Sequence, residues 1–379
     1  MALVLNEEQV MLRDAAAGFL SEKVGIAQLR ELRDNEDARG SSAAVWAEMA
    51  EMGWAGIAIP EEFGGLGYGY TGLGLVLEQV GRNLSASPLQ STVLVSASVI
   101  AELGNAQQKE QLLSGIAAGT TLVSLALQEG AHHAPQQTQT SATRDGEDYV
   151  LNGSKVLVLD AGIAQQFIVI ARSSGAAGDE QGLSAFLVAA DTAGLSLDSR
   201  SMVDSRSAGA LTLDGIRVPA SSLLGDEGGA TVGLNRALDI ANIGLASELL
   251  GLSCEAFERT VGYLQERKQF GKIIGTFQGL QHRAAELFAE LELGRSIVLQ
   301  ALHAIDTGEE DISLLASAAK AKLCEVAQRA TNEGIQMHGG IGMTDEHEIG
   351  FFIKRARVVQ HTFGDYNYHL DRFAKLSGF

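Results

Sequence analysis

Over the first third of the chain, apolar residues recur at helical spacing. Val10, Leu12, Ala16 and Leu20 mark a helical region from Asn6 to about Leu32, with Asn6 placed as its N-cap. A second helix is expected over residues 42–52, stopped by Gly53. Helical patterns return over 73–80, 94–103 and 107–117, the last closed by Gly119. At Thr120 the period changes. Short β-type runs follow at 122–127, 148–151, 155–159 and 167–171, separated by turn residues such as Asp145-Gly146 and Asn152-Gly153. The series continues at 183–189 and 210–216 as far as Pro219, and residues 173–182 read as an exposed loop joining two strands. From Gly228 the helical period resumes in long runs, 231–266, 280–307 and 312–338, the first without a proline. In that first run Leu238, Ile243, Leu245, Leu249, Leu250 and Leu252 supply an apolar surface, and apolar residues on more than one face point to a bundle that also oligomerises. The pattern predicts three segments: a helical one (1–119), a β-domain (120–225) and a helical bundle (226–379), hence an α+β chain that is mostly α.

Length and composition narrow the class. The 379 residues allow a large core, and 46% hydrophobic with 20% charged content is that of a globular protein. A net charge of −19, from 28 basic and 47 acidic residues, argues against nucleic acid as a partner. Cys254 and Cys324 have neither metal spacing nor a disulfide framework and read as reduced, buried thiols. Adjacent His132 and His133 lack a carboxylate partner and read as loop, so no metal is expected. Residues 1–20 carry Glu7, Glu8 and Asp14 without a basic region before an apolar run, and no run approaches the ~18–20 apolar residues that span a bilayer. These features predict a cytoplasmic chain that does not enter a membrane.

Two blocks carry candidate chemistry. In residues 266–278, ERKQFGKIIGTFQ, Arg267 offers a fixed cation, Phe270 an apolar wall, and Gln269 and Gln278 amides. In residues 336–365, Gln336 precedes Gly339, Gly340 and Gly342, and a basic helix with Lys354, Arg355 and Arg357 follows. Paired glycines let backbone approach a ligand closely, and a helix N-terminus favours negative groups. The dense glycines at 59–67 lack the strand, helix and later acid that a phosphate loop needs.

In this order the two blocks resemble the C-terminal signature of acyl-CoA dehydrogenase flavoproteins, R-x-x-F-G followed by Q-x-x-G-G-x-G. The resemblance extends over essentially the whole chain; residues 60–67, PEEFGGLG, are similar to that family's P-E-x-x-G-G-x-G turn. It implies the acyl-CoA dehydrogenase fold, assembled as a tetramer. It also implies that Arg267, Gln269, Phe270, Gln278, Gln336, Gly339 and Gly340 hold the diphosphate and adenine of FAD bound to a neighbouring subunit. The reaction implied is α,β-dehydrogenation of an acyl-CoA, with an electron-transferring flavoprotein as acceptor. That chemistry needs a carboxylate base, donors for the enolate oxygen and a flavin ring flat against the substrate.

Here the sequence departs from the family. The catalytic Glu before the final Gly is replaced by Phe363, the alternative base position on the long helix is Ala241, and an Arg often found next to it is Asn242. The T-E-P-G-A-G-S-D segment matches residues 128–134, and a W-x-T beside the flavin ring matches Leu157-Val158-Leu159, which removes an aromatic wall and a hydroxyl donor. Two carboxylates can substitute as base. Glu248 lies two helical turns after Ala241, about 10 Å along the axis, and Asp365 sits two residues past Phe363. The ending is similar to the small subunit of pimeloyl-CoA dehydrogenase and to base-lacking subunits of steroid side-chain enzymes. That likeness implies a subunit completing the FAD site of a base-containing homologue in a heterotetramer. The alternatives are a self-sufficient homo-oligomer with a relocated base and a flavin-free scaffold of the same fold.

Overall fold

The computed structural model describes residues 4–35, 39–309 and 311–379, so Met1 to Leu3 of the N-terminal segment lie outside the described residues. Asn6 caps as its sequence predicts. Its side chain accepts from Gln9 N at 2.8 Å and its own N–H donates to Gln9 Oε1 at 3.0 Å, a capping box that opens α1 (Glu7–Lys23). The run expected to reach Leu32 breaks at Val24-Gly25, and α2 (Ile26–Asp34) begins afresh. Ser42 caps α3 (Ala43–Glu51), and Gly53 follows in the left-handed conformation. Then come α4 (Gly69–Asn83), a buried π-helical segment (Leu89–Ser96), α5 (Ala97–Leu103) and α6 (Ala106–Ala117).

The strands are β1 (Val123–Ala126), β2 (Ser141–Asp145), β3 (Asp148–Leu159), β4 (Gln166–Arg172), β5 (Leu183–Ala189), β6 (Leu195–Ser201), β7 (Ser207–Pro219) and β8 (Leu223–Leu224). The C-terminal part holds α7 (Thr231–Glu266), the two-residue strands β9 (Lys268–Gln269) and β10 (Lys272–Ile273), α8 (Gln278–Asp306), α9 (Ser313–His338), α10 (Ile349–His361) and α11 (Tyr366–Leu376). By length and composition α7 could cross a membrane, although no such run was expected from the sequence; its apolar window is wholly buried in the protein.

The chain folds into two compact units. One comprises Glu31–Gly69 and Ala86–Ala241. Its sheet runs β6-β7-β3-β2-β4-β5-β8, with β1 parallel to β4, over a core that includes Tyr149, Phe167, Phe186, Leu211 and Ile216. Asn152-Gly153, expected as a turn between two strands, is a bulge inside the continuous β3. The register with β7 shifts between Leu151 and Gly153, and Asn152 Oδ1 accepts from Gly215 N at 2.8 Å. Gly153 has φ +148°, and a Cβ there would lie 2.5 Å from Thr140 Oγ1.

The other unit comprises Met1–Arg30, Tyr70–Ser85 and Asn242–Phe379. Within it α9 packs against α8, α10 and α11. Helices α4 and α7 meet backbone to backbone through reciprocal glycines. A Cβ on Gly251 would lie 1.8 Å from Glu78 O, and one on Gly81 would lie 2.1 Å from Glu248 O. Gly262, further along α7, has nothing within 4 Å of such an atom. Gly251→Ala is therefore expected to destabilise the protein by about 1–3 kcal/mol through overpacking. Gly262→Ala should instead gain about 0.5–1 kcal/mol from helix propensity. Denaturant unfolding of the two variants checks the opposite signs.

Candidate functional site

The C-terminal ends of α7 and α9 are riveted together in the helical unit. Tyr263, one turn before the end of α7, stacks on His338, the last residue of α9, with ring centroids 4.4 Å apart. Its hydroxyl donates to His338 O at 3.3 Å. This contact brings the Arg267 block and the Gly339-Gly340 turn to one end of the unit. Arg267 N donates to Tyr263 O, and Arg267 O accepts from Ile274 N at 2.9 Å, which closes the β9–β10 hairpin. Phe270 and Gly271 form its tip at φ +54° and +77°, the two positive values of a type I′ turn. Phe270 is 89% exposed, and its ring lies edge-on to Phe277 at 6.2 Å. Gln278 opens α8, and a groove of about 450 Å³ is lined by Phe270, Phe277, Gly279, Leu280 and Arg283.

The donor set suits a diphosphate. Arg267, Gln269, Gln278 and Gln336 are exposed, and among the described residues nothing pairs with the Arg267 guanidinium. A Cβ on Gly339 or Gly340 would meet no atom within 4 Å, so the backbone there is open to a ligand. An unpaired cation, the N-terminus of a long helix and bare backbone are what a dinucleotide's anionic centre requires.

The base positions are different. Phe363 has φ +55°, a left-handed conformation rare for a bulky residue, and the carbonyls around it are held from three sides. Lys320 Nζ donates to Thr362 O at 2.6 Å, Gly364 O at 3.1 Å and Asn242 Oδ1 at 3.2 Å. Asn242 Nδ2 and His369 Nε2 donate to Phe363 O at 3.4 and 3.2 Å. Burial lowers the Lys320 ammonium to about 8, with the Cys324 thiol and the Asp365 carboxylate opposing the shift. A buried cation thus clamps the turn that would carry a base, and the turn presents an apolar ring. Ala241 is fully buried.

Neither substitute carboxylate is displayed as a base. Glu248 is sealed in the core, where its Oε1 accepts from Arg355 Nη1 at 3.1 Å; the two side chains are 1% and 0% exposed. Arg355 also donates to Leu84 O at 2.9 Å and Ser85 O at 3.1 Å. Asp365 is the N-cap of α11, accepting from Tyr368 N at 2.9 Å. The helical face correctly places Glu248 in line with Ala241, but Arg355, arriving from α10, gives it a structural partner that periodicity cannot reveal.

The sheet unit holds a third feature, a cavity of about 530 Å³ lined by residues of the 127–140 segment together with Gly153 and Ser154. Glu129 accepts from Lys155 Nζ at 2.6 Å, Gln139 N at 2.6 Å and Thr140 N at 3.0 Å. Burial pushes its carboxyl up, but the Lys155 ammonium and these donors hold it below the ordinary range. Lys155, fully buried, is lowered by burial to about 8 despite Glu129. Leu157, at the position of the family's Trp, is 57% exposed with φ +53°. Among the described residues no cluster of His, Cys, Asp and Glu could hold a metal. Tyr263, His338 and His347 escape a motif reading, since only the fold brings their rings together.

Comparison with known proteins places this geometry. Family models for the acyl-CoA dehydrogenase N-terminal, middle and C-terminal domains match residues 6–120, 127–215 and 227–377 in that order. Over 367 residues the chain is 31% identical to the probable acyl-CoA dehydrogenase YngJ of Bacillus subtilis, covering 95% of each sequence. The solved butyryl-CoA dehydrogenase from Megasphaera elsdenii matches with a TM-score of 0.92 and 25% identity over 100% of both chains. A variant of the Tcur3481-Tcur3483 steroid ACAD matches with a TM-score of 0.87 and 32% identity over 98% of both chains. The chain belongs to the acyl-CoA dehydrogenase family, FAD-dependent oxidoreductases acting on a CH–CH bond.

Proposed function

We propose that this chain is the nucleotide-arm subunit of a heteromeric acyl-CoA dehydrogenase. It would lend Arg267, Gln269, Phe270, Gln278, Gln336, Gly339 and Gly340 to the FAD of a homologous, base-containing partner. When bound, FAD supplies the two-electron acceptor for α,β-dehydrogenation of the CoA thioester. One observation carries the reading: the nucleotide arm is open, while no carboxylate stands at the turn or on the long helix where a base would act. Glu248 is committed to Arg355 and Asp365 to capping α11, which weighs against a self-sufficient enzyme. An unpaired Arg267 beside bare backbone weighs against a flavin-free scaffold, which has no use for a phosphate site. The name of the Tcur3481-Tcur3483 steroid ACAD joins two products, and a pairing of unlike chains is the arrangement proposed here. An electron-transferring flavoprotein is the expected acceptor, and the assembly is expected to be a cytoplasmic tetramer.

The test is purification of the chain alone and with a homologue that carries the base. Alone, it should lack flavin absorbance and not oxidise acyl-CoA. Together, the two should be yellow and bleach anaerobically on adding substrate. A yellow, active homo-oligomer would overturn the proposal.

A further inference from the structure

The two histidines at the nucleotide arm carry information beyond the rivet itself. His347 extends the stack begun by Tyr263 and His338, with its ring 4.5 Å from His338 and 6.4 Å from Tyr263. Their hydrogen bonds fix both tautomers. His338 Nδ1 lies 2.6 Å from Gly334 O, and since a carbonyl only accepts, this nitrogen carries the proton. His347 Nδ1 accepts from Ile349 N at 3.2 Å, so this nitrogen offers its lone pair. Ile349 is the first residue of α10, which makes His347 an acceptor for a free N–H at a helix start.

His347 is therefore neutral while that bond stands, His338 has Nε2 left as the site for a second proton, and each resists that proton for a geometric reason. A proton on His347 Nδ1 breaks the bond to Ile349 and sets a cation at a helix N-terminus, where the backbone dipoles disfavour it. A proton on His338 Nε2 charges a ring already in contact with another imidazole. The surrounding charges are mixed. From α7 come Tyr263 and Arg259, the latter paired with Glu255 at 2.8 Å and with Glu348 at 2.6 Å. The arm supplies Glu346 and Asp345, and Asp345 is held by Arg30 of α2 at 3.1 Å. From α10, Lys354 lines a cavity of about 340 Å³ together with His347 and Asp345. Burial is the first reason both imidazoles sit below their ordinary value. The Gly334 carbonyl opposes this for His338 while the neighbouring His347 adds to it; for His347, Glu348 opposes it while Arg259 adds to it.

We propose that His338 and His347 are positioning residues for the nucleotide arm, and that their protonation in mild acid undocks Gly339-Gly340 from α7 and releases FAD. The inference rests on the reading of Arg267 and the glycine turn as the FAD arm. Its sign follows from linkage: the undocked state binds more protons, so docking is complete above the ordinary imidazole value, about 6.5, and is lost as pH falls through the lower, docked value.

The test uses the intact FAD-loaded assembly, with free FAD measured by fluorescence after ultrafiltration from about pH 8 to about pH 5, and far-UV circular dichroism followed in parallel. Wild type should lose at least about tenfold in FAD affinity over this range, with helicity unchanged and protons taken up on release. His347→Asn keeps an acceptor for Ile349 N without titrating there, and His338→Asn keeps a donor for Gly334 O. In the double variant the acid limb should flatten. Flat retention in wild type, no proton uptake on release, or the same acid limb in either His347→Asn or the double variant would overturn the inference. Arg267→Ala at about pH 8 separates the two levels. Unchanged retention there sinks the arm reading itself, whereas lost retention together with a persistent acid limb sinks only the role of the histidines.

Discussion

Glu248→Ala is expected to lower the stability of the protein by about 3–5 kcal/mol, read as an earlier denaturant midpoint. The carboxylate and the Arg355 guanidinium meet at 3.1 Å with almost no solvent on either side. Removing one partner takes a direct charge–charge contact away from a group that stays buried. Arg355 also holds Leu84 O and Ser85 O, at the point where the chain leaves α4 with Leu84 at φ +52°, so the pair fixes a bend as well as a charge. Replacing both residues by Met removes both charges at once. The double variant should therefore lose less than the two single changes summed, the signature of direct coupling. A catalytic base would behave differently, since its removal leaves the fold intact and slows proton abstraction. An unchanged midpoint for Glu248→Ala would return this residue to consideration as the base.

Much of the fold could be read from the chain because local signals and packing agree there. Residues 231–266 and 183–189 have the bounds expected of them, since a long proline-free apolar run and a buried apolar strand each have one physical solution. Strand β6, Leu-Ser-Leu-Asp-Ser-Arg-Ser, gives a weak signal because it lies largely exposed beside β7 and its apolar alternation stops after Leu197. Asn152-Gly153 misled for the opposite reason: a strong local turn signal lost to long pairing with β7, which absorbs the extra residue as a bulge. The π-helical segment is buried all along, so no face distinguishes it.

The site divides in the same way. Arg267 and the glycine turn are legible as candidates because phosphate chemistry demands particular residues at short spacing. Lys320, Tyr263 and His347 are not, since their importance lies in what long-range packing sets against them. Nothing in the sequence announces that Lys320 reaches the carbonyls on both sides of Phe363. The turn at Phe363 is a tightly held structure in its own right, with a buried cation satisfied by backbone oxygens.

Arg267→Ala, made in the FAD-loaded assembly, is expected to weaken FAD binding by about 2–5 kcal/mol, roughly thirtyfold to several-thousandfold in Kd. In the free chain the guanidinium is exposed and nothing among the described residues pairs with it. Its planar fork can meet two phosphate oxygens at once, and removing it leaves anionic oxygens excluded from water without a donor. Arg267→Lys keeps the charge but loses the fork, so its affinity should fall between wild type and Ala. Arg283 is the internal control: it lines the adjoining groove but is already bonded to Glu333, so Arg283→Ala should shift FAD affinity far less. Titration of the apo-assembly with FAD measures all three, and a thermal melt of each shows whether the fold survives. Because the hairpin bearing Arg267 sits on the surface, its truncation should leave the melt near wild type while the flavin is lost. Equal FAD affinity for wild type and Arg267→Ala would mean that the cation faces water in the assembly and that the diphosphate is held elsewhere.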